Sequence, residues 1–261
     1  MISAVRRHPL LWFFVLAYAL SWWPWPLYLL GVAGSPSVSF GPFLAAVVVL
    51  ASTHGKRGVL GLLRRMVHWR VHPVWYVVAL LLPVAISGTA ALLNVSLGAQ
   101  SPSAAELGAW PGLLPQFLLL LLVPGIGGTW EEPGWRGYAL PVLQARRSAL
   151  LASLILAPLW ALWHLPLIVY GFILLSDPLF VVAFTVMFTW LFNNTGGSVL
   201  IAMLMHAMIN TGGFFTAMFS GADSVRQGWL LVALWWAVAI AVIIVTRPEH
   251  LSRKYRKQTI A

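Results

Sequence analysis

The sequence predicts an all-α integral membrane protein, a single domain over residues 1–261 in which about eight transmembrane helices enclose a polar cavity. Three observations carry that expectation. Apolar residues make up 60% of the chain and charged residues only 8%, where globular chains carry about 25% charged residues. Too little polar surface exists to cover a water-facing globule. The apolar residues fall into eight runs near the ~20 residues that a spanning helix needs. The sixteen Lys and Arg, against six Asp and Glu, sit in short clusters between those runs. Clusters of that kind orient spans; they do not track nucleic-acid phosphates, so the net charge of +10 implies no nucleic-acid partner.

The runs follow one another between Pro, Gly, Ser or charged residues. The first, 10–31, follows Arg6 and Arg7 and is too long and too rich in Trp for a secretory h-region, so it reads as a retained span. The second is 37–53. Residues 55–72 (GKRGVLGLLRRMVHWRVH) mix basic with apolar side chains and read as an amphipathic surface helix. Further runs cover 73–98, 113–145 with an interruption, 149–174, 179–193, 197–219 and 228–246.

A cytoplasmic N-terminus puts Arg6, Arg7, Lys56, Arg57, Arg64, Arg65, Arg70, Arg146, Arg147, Arg247, Arg253, Lys254, Arg256 and Lys257 on the cytoplasmic side. Only Arg226 then falls outside, with Glu106, Asp177 and Asp223 in outer loops. The expectation is a multi-pass plasma-membrane protein with both termini cytoplasmic. Trp22, Trp23, Trp25, Trp69, Trp75 and Trp110 fit interfacial belts. With no cysteine, disulfides, thiolate metal sites and a thiol nucleophile are excluded.

Ionisable groups inside spans cost about 2.5–3.5 kcal/mol each, so each needs a reason. They gather in three clusters. The first is TWEEPGWRGYALP at 129–141. Glu132 and Arg136 are four apart and share a helix face, the spacing of an ion pair. Glu131 is turned away by about 100°, which leaves Glu132 the structural acid and Glu131 the chemical one. The preceding PGIGG at 124–128 breaks the helix and permits close backbone approach. The alternative is an interfacial helix whose carboxylates meet water.

The second cluster is PLWALWHLP at 158–166, where Trp160 precedes His164 by one turn. A hairpin about Arg147 and Ser148 brings His164 to the depth of Glu131. Alone, such a histidine is more often a hydrogen-bonded packing residue than a ligand or base. The third cluster is SVLIAMLMHAMINTGG at 198–213, with His206 and Asn210 on one face. That pair suits an oriented base or ligand, or interhelical hydrogen bonding. Together one Glu, two His and one Asn are the parts for activating water and holding an oxyanion. Glu131, His164 and His206 also suit a divalent metal such as zinc, although no H-E-x-x-H is present.

E-E-P-G-W-R-G-Y-A-L-P at 131–141, an aromatic and a His at 160 and 164, and His-x-x-x-Asn at 206–210 resemble, in that order, the CPBP family. This is the CAAX protease and bacteriocin-processing group of intramembrane proteases, which includes the type II CAAX prenyl proteases. The resemblance implies hydrolysis of membrane-associated peptides in an intramembrane cavity. It places Glu131 as the water-activating carboxylate, His164 as its helper, and His206 and Asn210 opposite as oxyanion or metal-site groups. Glu132, Arg136 and Trp160 support the site. The family's second motif usually begins with Phe, where this chain has Trp160. A proton-coupled transporter using the buried Glu, His and Arg as a relay is the competing reading.

Overall fold

The computed structural model describes residues 2–173 and 177–253. Leu174, the end of the fifth predicted run, and Lys254, Arg256 and Lys257 lie outside the described residues. All regular structure among the described residues is helical. In chain order the elements are α1 (Ile2–Arg7), α2 (Pro9–Trp22), α3 (Trp25–Leu29), α4 (Gly41–Met66), α5 (Val74–Ser96), α6 (Ala104–Gly108) and α7 (Leu113–Leu122). A 3-10 turn (Thr129–Glu131), α8 (Glu132–Gly134), a π-helical turn (Trp135–Ala139) and α9 (Leu140–Gln144) follow. The chain continues through α10 (Ala149–Trp163), α11 (Leu165–Val169), α12 (Asp177–Asn194), α13 (Val199–Thr211), α14 (Gly213–Ala217) and α15 (Gly221–Thr246).

Among the described residues, six stretches are long and apolar enough to cross a membrane: Pro9–Leu29, Gly41–Met66, Val74–Ser96, Ala104–Leu122, Val199–Ala217 and Gly221–Thr246. The other two predicted runs fall in α10, an apolar helix of 15 residues, and in α12, which begins at Asp177 and ends in Asn193 and Asn194. The fourth run divides. Its apolar half ends at Leu122, and its polar half winds as 3-10, α and π turns, with residues 131–141 all buried. An interfacial helix with water-facing carboxylates is therefore not what forms. The polar groups are covered by other helices, which is how broken backbone survives at membrane depth.

Local chemistry explains the neighbours of this segment. In α4, Gly55 sits at φ 60°, a conformation that L side chains rarely adopt, and there the helix kinks. Beyond the kink Leu62 is buried while Lys56, Arg57 and Arg64 are exposed, but Leu60 and Leu63 are exposed too, and the helix continues α4 and ends at Met66, short of the separate surface helix expected over 55–72. A Cβ on Gly134 would collide with Pro42, so the first turn of the motif nests on the start of α4. Helix α10 is fastened to α2 by Tyr18 Oη donating to the Leu159 carbonyl (2.7 Å) and Trp22 Nε1 donating to the Trp163 carbonyl (2.9 Å). The second bond satisfies a terminal carbonyl that the helix itself cannot. Helix α12 is joined to α10 by Ser153 Oγ donating to Thr189 Oγ1 (2.7 Å). These contacts hold α10 against the motif.

Candidate active site

Glu131 ends the 3-10 turn, with its backbone N–H bonded to the Gly128 carbonyl at 2.9 Å. Its side chain is 2% exposed. Oε2 accepts from Trp160 Nε1 at 2.6 Å and from Trp135 Nε1 at 3.1 Å. The indoles come from α10 and from the π turn, and an indole N–H in an apolar setting needs an acceptor. Oε1 accepts no hydrogen bond from any described residue.

Glu132 points the other way, as helical geometry requires. Its Oε1 accepts from Arg136 Nη1 at 3.0 Å and from His206 Nδ1 at 2.6 Å. The ion pair with Arg136 is the one the i, i+4 spacing predicts. Glu132 and Arg136 are both 0% exposed. The guanidinium lies between two rings, 4.0 Å from the Trp160 centroid and 4.3 Å from that of Phe188. Such stacking suits the weakly hydrated, planar guanidinium in a dry setting.

Because Nδ1 of His206 faces Glu132, the remaining ring nitrogen is turned toward the other acid. A Cβ built on Gly128 would collide with His206 Nε2 and stand 2.6 Å from Glu131 Oε1. Imidazole and carboxylate thus converge on the one face of Gly128 that carries no side chain. Gly128→Ala is expected to separate them and to lower turnover by about 10²-fold, in the range that a misplacement of about 1 Å costs. Peptide cleavage by folded, purified Gly128→Ala protein checks it; wild-type turnover there rules the convergence out as a catalytic feature.

His164 caps α10, with Nδ1 2.8 Å from the Trp160 carbonyl oxygen. The hairpin expectation places it level with Glu131, but the α10 residue that touches Glu131 is Trp160, one turn earlier. His164 instead lines a cavity of about 260 Å³, together with Trp160, His206 and Asn210. Phe184, Phe188, Leu231 and Trp235 supply much of its apolar wall. Glu131 does not line the cavity, and its carboxylate lies behind Trp160 and His206. The Asn210 amide has no hydrogen-bond partner among the described residues, and its Nδ2 lies 3.3 Å from where a Cβ on Gly127 would stand.

The structure thus brings Glu131, Glu132, Arg136, Trp160 and His206 into direct contact, with His164 and Asn210 on the adjoining cavity wall. Among the described residues, no three His, Asp or Glu side chains form a metal-holding group. As arranged, Glu131, His164 and His206 do not converge as one group of three among the described residues.

Three residues of this constellation do not stand out in the sequence. Trp135 reads as one more apolar residue, although its position four after Glu131 is a usable signal. Phe188 is invisible because its partner is more than 50 positions away (Arg136). Gly128 belongs to the glycine-rich break, but which glycine faces the site is a tertiary matter.

Residues 110–212, which contain all three motifs, match the family described as type II CAAX prenyl endopeptidase Rce1-like. The chain is also similar to CAAX prenyl protease 2 of Methanococcus maripaludis, at 25% identity over 220 residues and 78% of each chain. The match covers the stretch in which Glu131, His164, His206 and Asn210 meet one buried site, and the chain, similar over that stretch to the Rce1-like type II CAAX prenyl endopeptidases, is a multi-pass intramembrane endopeptidase.

Proposed function

We propose that this endopeptidase cleaves membrane-associated peptides of the CAAX or leader type with water activated by Glu131. One observation carries the assignment: two indoles hold Glu131 Oε2, while Oε1 is left beside His206 Nε2 over the bare Cα of Gly128. A carboxylate fixed by one oxygen and available at the other is a positioned general base. It takes a proton from water, and the water oxygen attacks the peptide carbonyl carbon. The oxyanion is met by the Asn210 amide and His206. His164 assists delivery of the proton to the amide nitrogen as the C–N bond breaks.

The apolar cavity wall suits a peptide bearing a lipid substituent, and the related protein is named a prenyl protease. The distribution of Lys and Arg supports a plasma-membrane orientation with both termini in the cytoplasm. No observation favours the proton-coupled carrier. No step here runs through a metal, and metal analysis of the purified protein with and without chelator tests that choice.

The experiment is cleavage of a matched panel: a C-terminal peptide with a prenylated cysteine, the same peptide without the lipid, and a leader peptide. A product from the prenylated peptide alone supports the CAAX reading, and a product from the leader peptide alone overturns it. His164→Ala is expected to lower turnover by about 10²–10⁴-fold. Undiminished cleavage by that variant would remove His164 from the reaction.

A further inference from the structure

A second polar feature lies away from the active site. The end of α4 and the turn after it enclose a groove of about 330 Å³, lined by Arg64, Arg65, Val67, His68, Trp69 and Arg70. No acidic residue lines it, and no ion pair among the described residues involves Arg64 or Arg70. Val67 is 67% exposed and Trp69 62%, and the Arg70 guanidinium stacks 5.4 Å from the Trp69 ring. Arg64 and Arg70, in a groove with no acidic side chain, suit an oxyanion such as phosphate, which the planar guanidinium can meet with two parallel hydrogen bonds. The exposed valine and tryptophan beside them select an apolar chain on the same ligand.

We propose that this groove binds the phosphate headgroup of an anionic phospholipid and that the bound lipid steadies the active site. A phospholipid meets both demands, whereas free phosphate meets one. The groove is also wired to the site. Arg65 Nη1 donates to the Gly137 carbonyl at 3.3 Å, in the π turn that carries Trp135 and Arg136. On the far side Ser198 Oγ donates to the His68 carbonyl at 2.7 Å. Ser198 is also the N-cap of α13, where it accepts from the Ile201 N–H at 3.3 Å, so the groove wall helps set the helix that presents His206 and Asn210. A ligand that orders 64–70 therefore orders both halves of the catalytic constellation.

The test uses the full chain in nanodiscs of phosphatidylcholine with or without added phosphatidylglycerol. Lipid retention is read by native mass spectrometry and peptide cleavage by product formation. The Arg64→Ala/Arg70→Ala double variant is compared with Arg146→Ala/Arg147→Ala, which removes equal charge from another basic cluster. Wild type and the 146/147 variant are expected to retain phosphatidylglycerol, and the 64/70 variant to retain it about tenfold or more weakly. Equal losses in the two variants would reduce the effect to bulk surface charge and overturn the site, as would full retention by the 64/70 variant. Competition by inorganic phosphate as effective as that by the lipid would overturn the choice of phospholipid. Cleavage should rise with phosphatidylglycerol in wild type and not in the 64/70 variant; retention without that rise overturns the coupling. The rate measurement rests on the endopeptidase reading, but retention does not, so the two failures are distinguishable.

Discussion

Glu131→Gln is expected to lower peptide cleavage by about 10²–10⁴-fold, the contribution of a positioned general base, while leaving the protein folded. The substitution preserves the shape of the side chain. Its amide oxygen still accepts from Trp160 and Trp135 in the place of Oε2, and a neutral group replaces a carboxylate that is 2% exposed. Burying an amide costs less than burying an ion, so the native state loses little. What disappears is the anionic oxygen on the face of Gly128. Turnover and thermal unfolding measured on the same preparation check both halves. Cleavage at the wild-type rate sinks the role of Glu131, and a loss of fold parallel to the loss of activity makes it structural.

Glu132→Gln is expected to fail differently. Glu132 Oε1 bears both contacts, to Arg136 at 3.0 Å and to His206 at 2.6 Å. The Nε and Nη2 atoms of Arg136 have no hydrogen-bond partner among the described residues. Neutralising Glu132 takes the counter-charge from a fully buried guanidinium, which keeps at most one hydrogen bond to the Gln amide oxygen and the faces of Trp160 and Phe188. Breaking one side of a buried pair costs about 3–5 kcal/mol, a large share of the roughly 5–15 kcal/mol that separates folded from unfolded states. Lower yield and a lower unfolding temperature should therefore accompany lost activity. Normal yield with selective loss of turnover would instead make Glu132 the base.

These contrasting outcomes are legible in the sequence because the two acids are adjacent. Adjacent helical residues point about 100° apart, and Arg136 lies four residues from Glu132. Division of the acids into an anchored and an available member thus needed no long-range information. The partners of the available one did. Trp160 reaches Glu131 from another helix, 29 positions along the chain. Periodicity alone pairs Glu131 with His164, and the one-turn difference reflects where the turn after α9 places α10. The bond between His206 and Glu132 joins residues 74 apart; local pattern has no access to such a distance.

What the sequence by itself determined is the solvent and the chemistry. A charged content of 8% commits the chain to lipid, and the cost of ionisable groups there gathers the reactive side chains into three motifs. Span number was less accessible. Apolar runs count residues that avoid water, and a helix buried among other helices avoids water as well as one facing lipid. Hence the polar half of the fourth run resolves into buried 3-10, α and π turns. Tertiary structure alone decided which Glu131 oxygen is tied down, which histidine nitrogen faces it, and that Gly128 leaves the space between them. Those are relations between helices, set by packing at distances of about 3 Å, and a one-dimensional pattern carries depth and face but not contact.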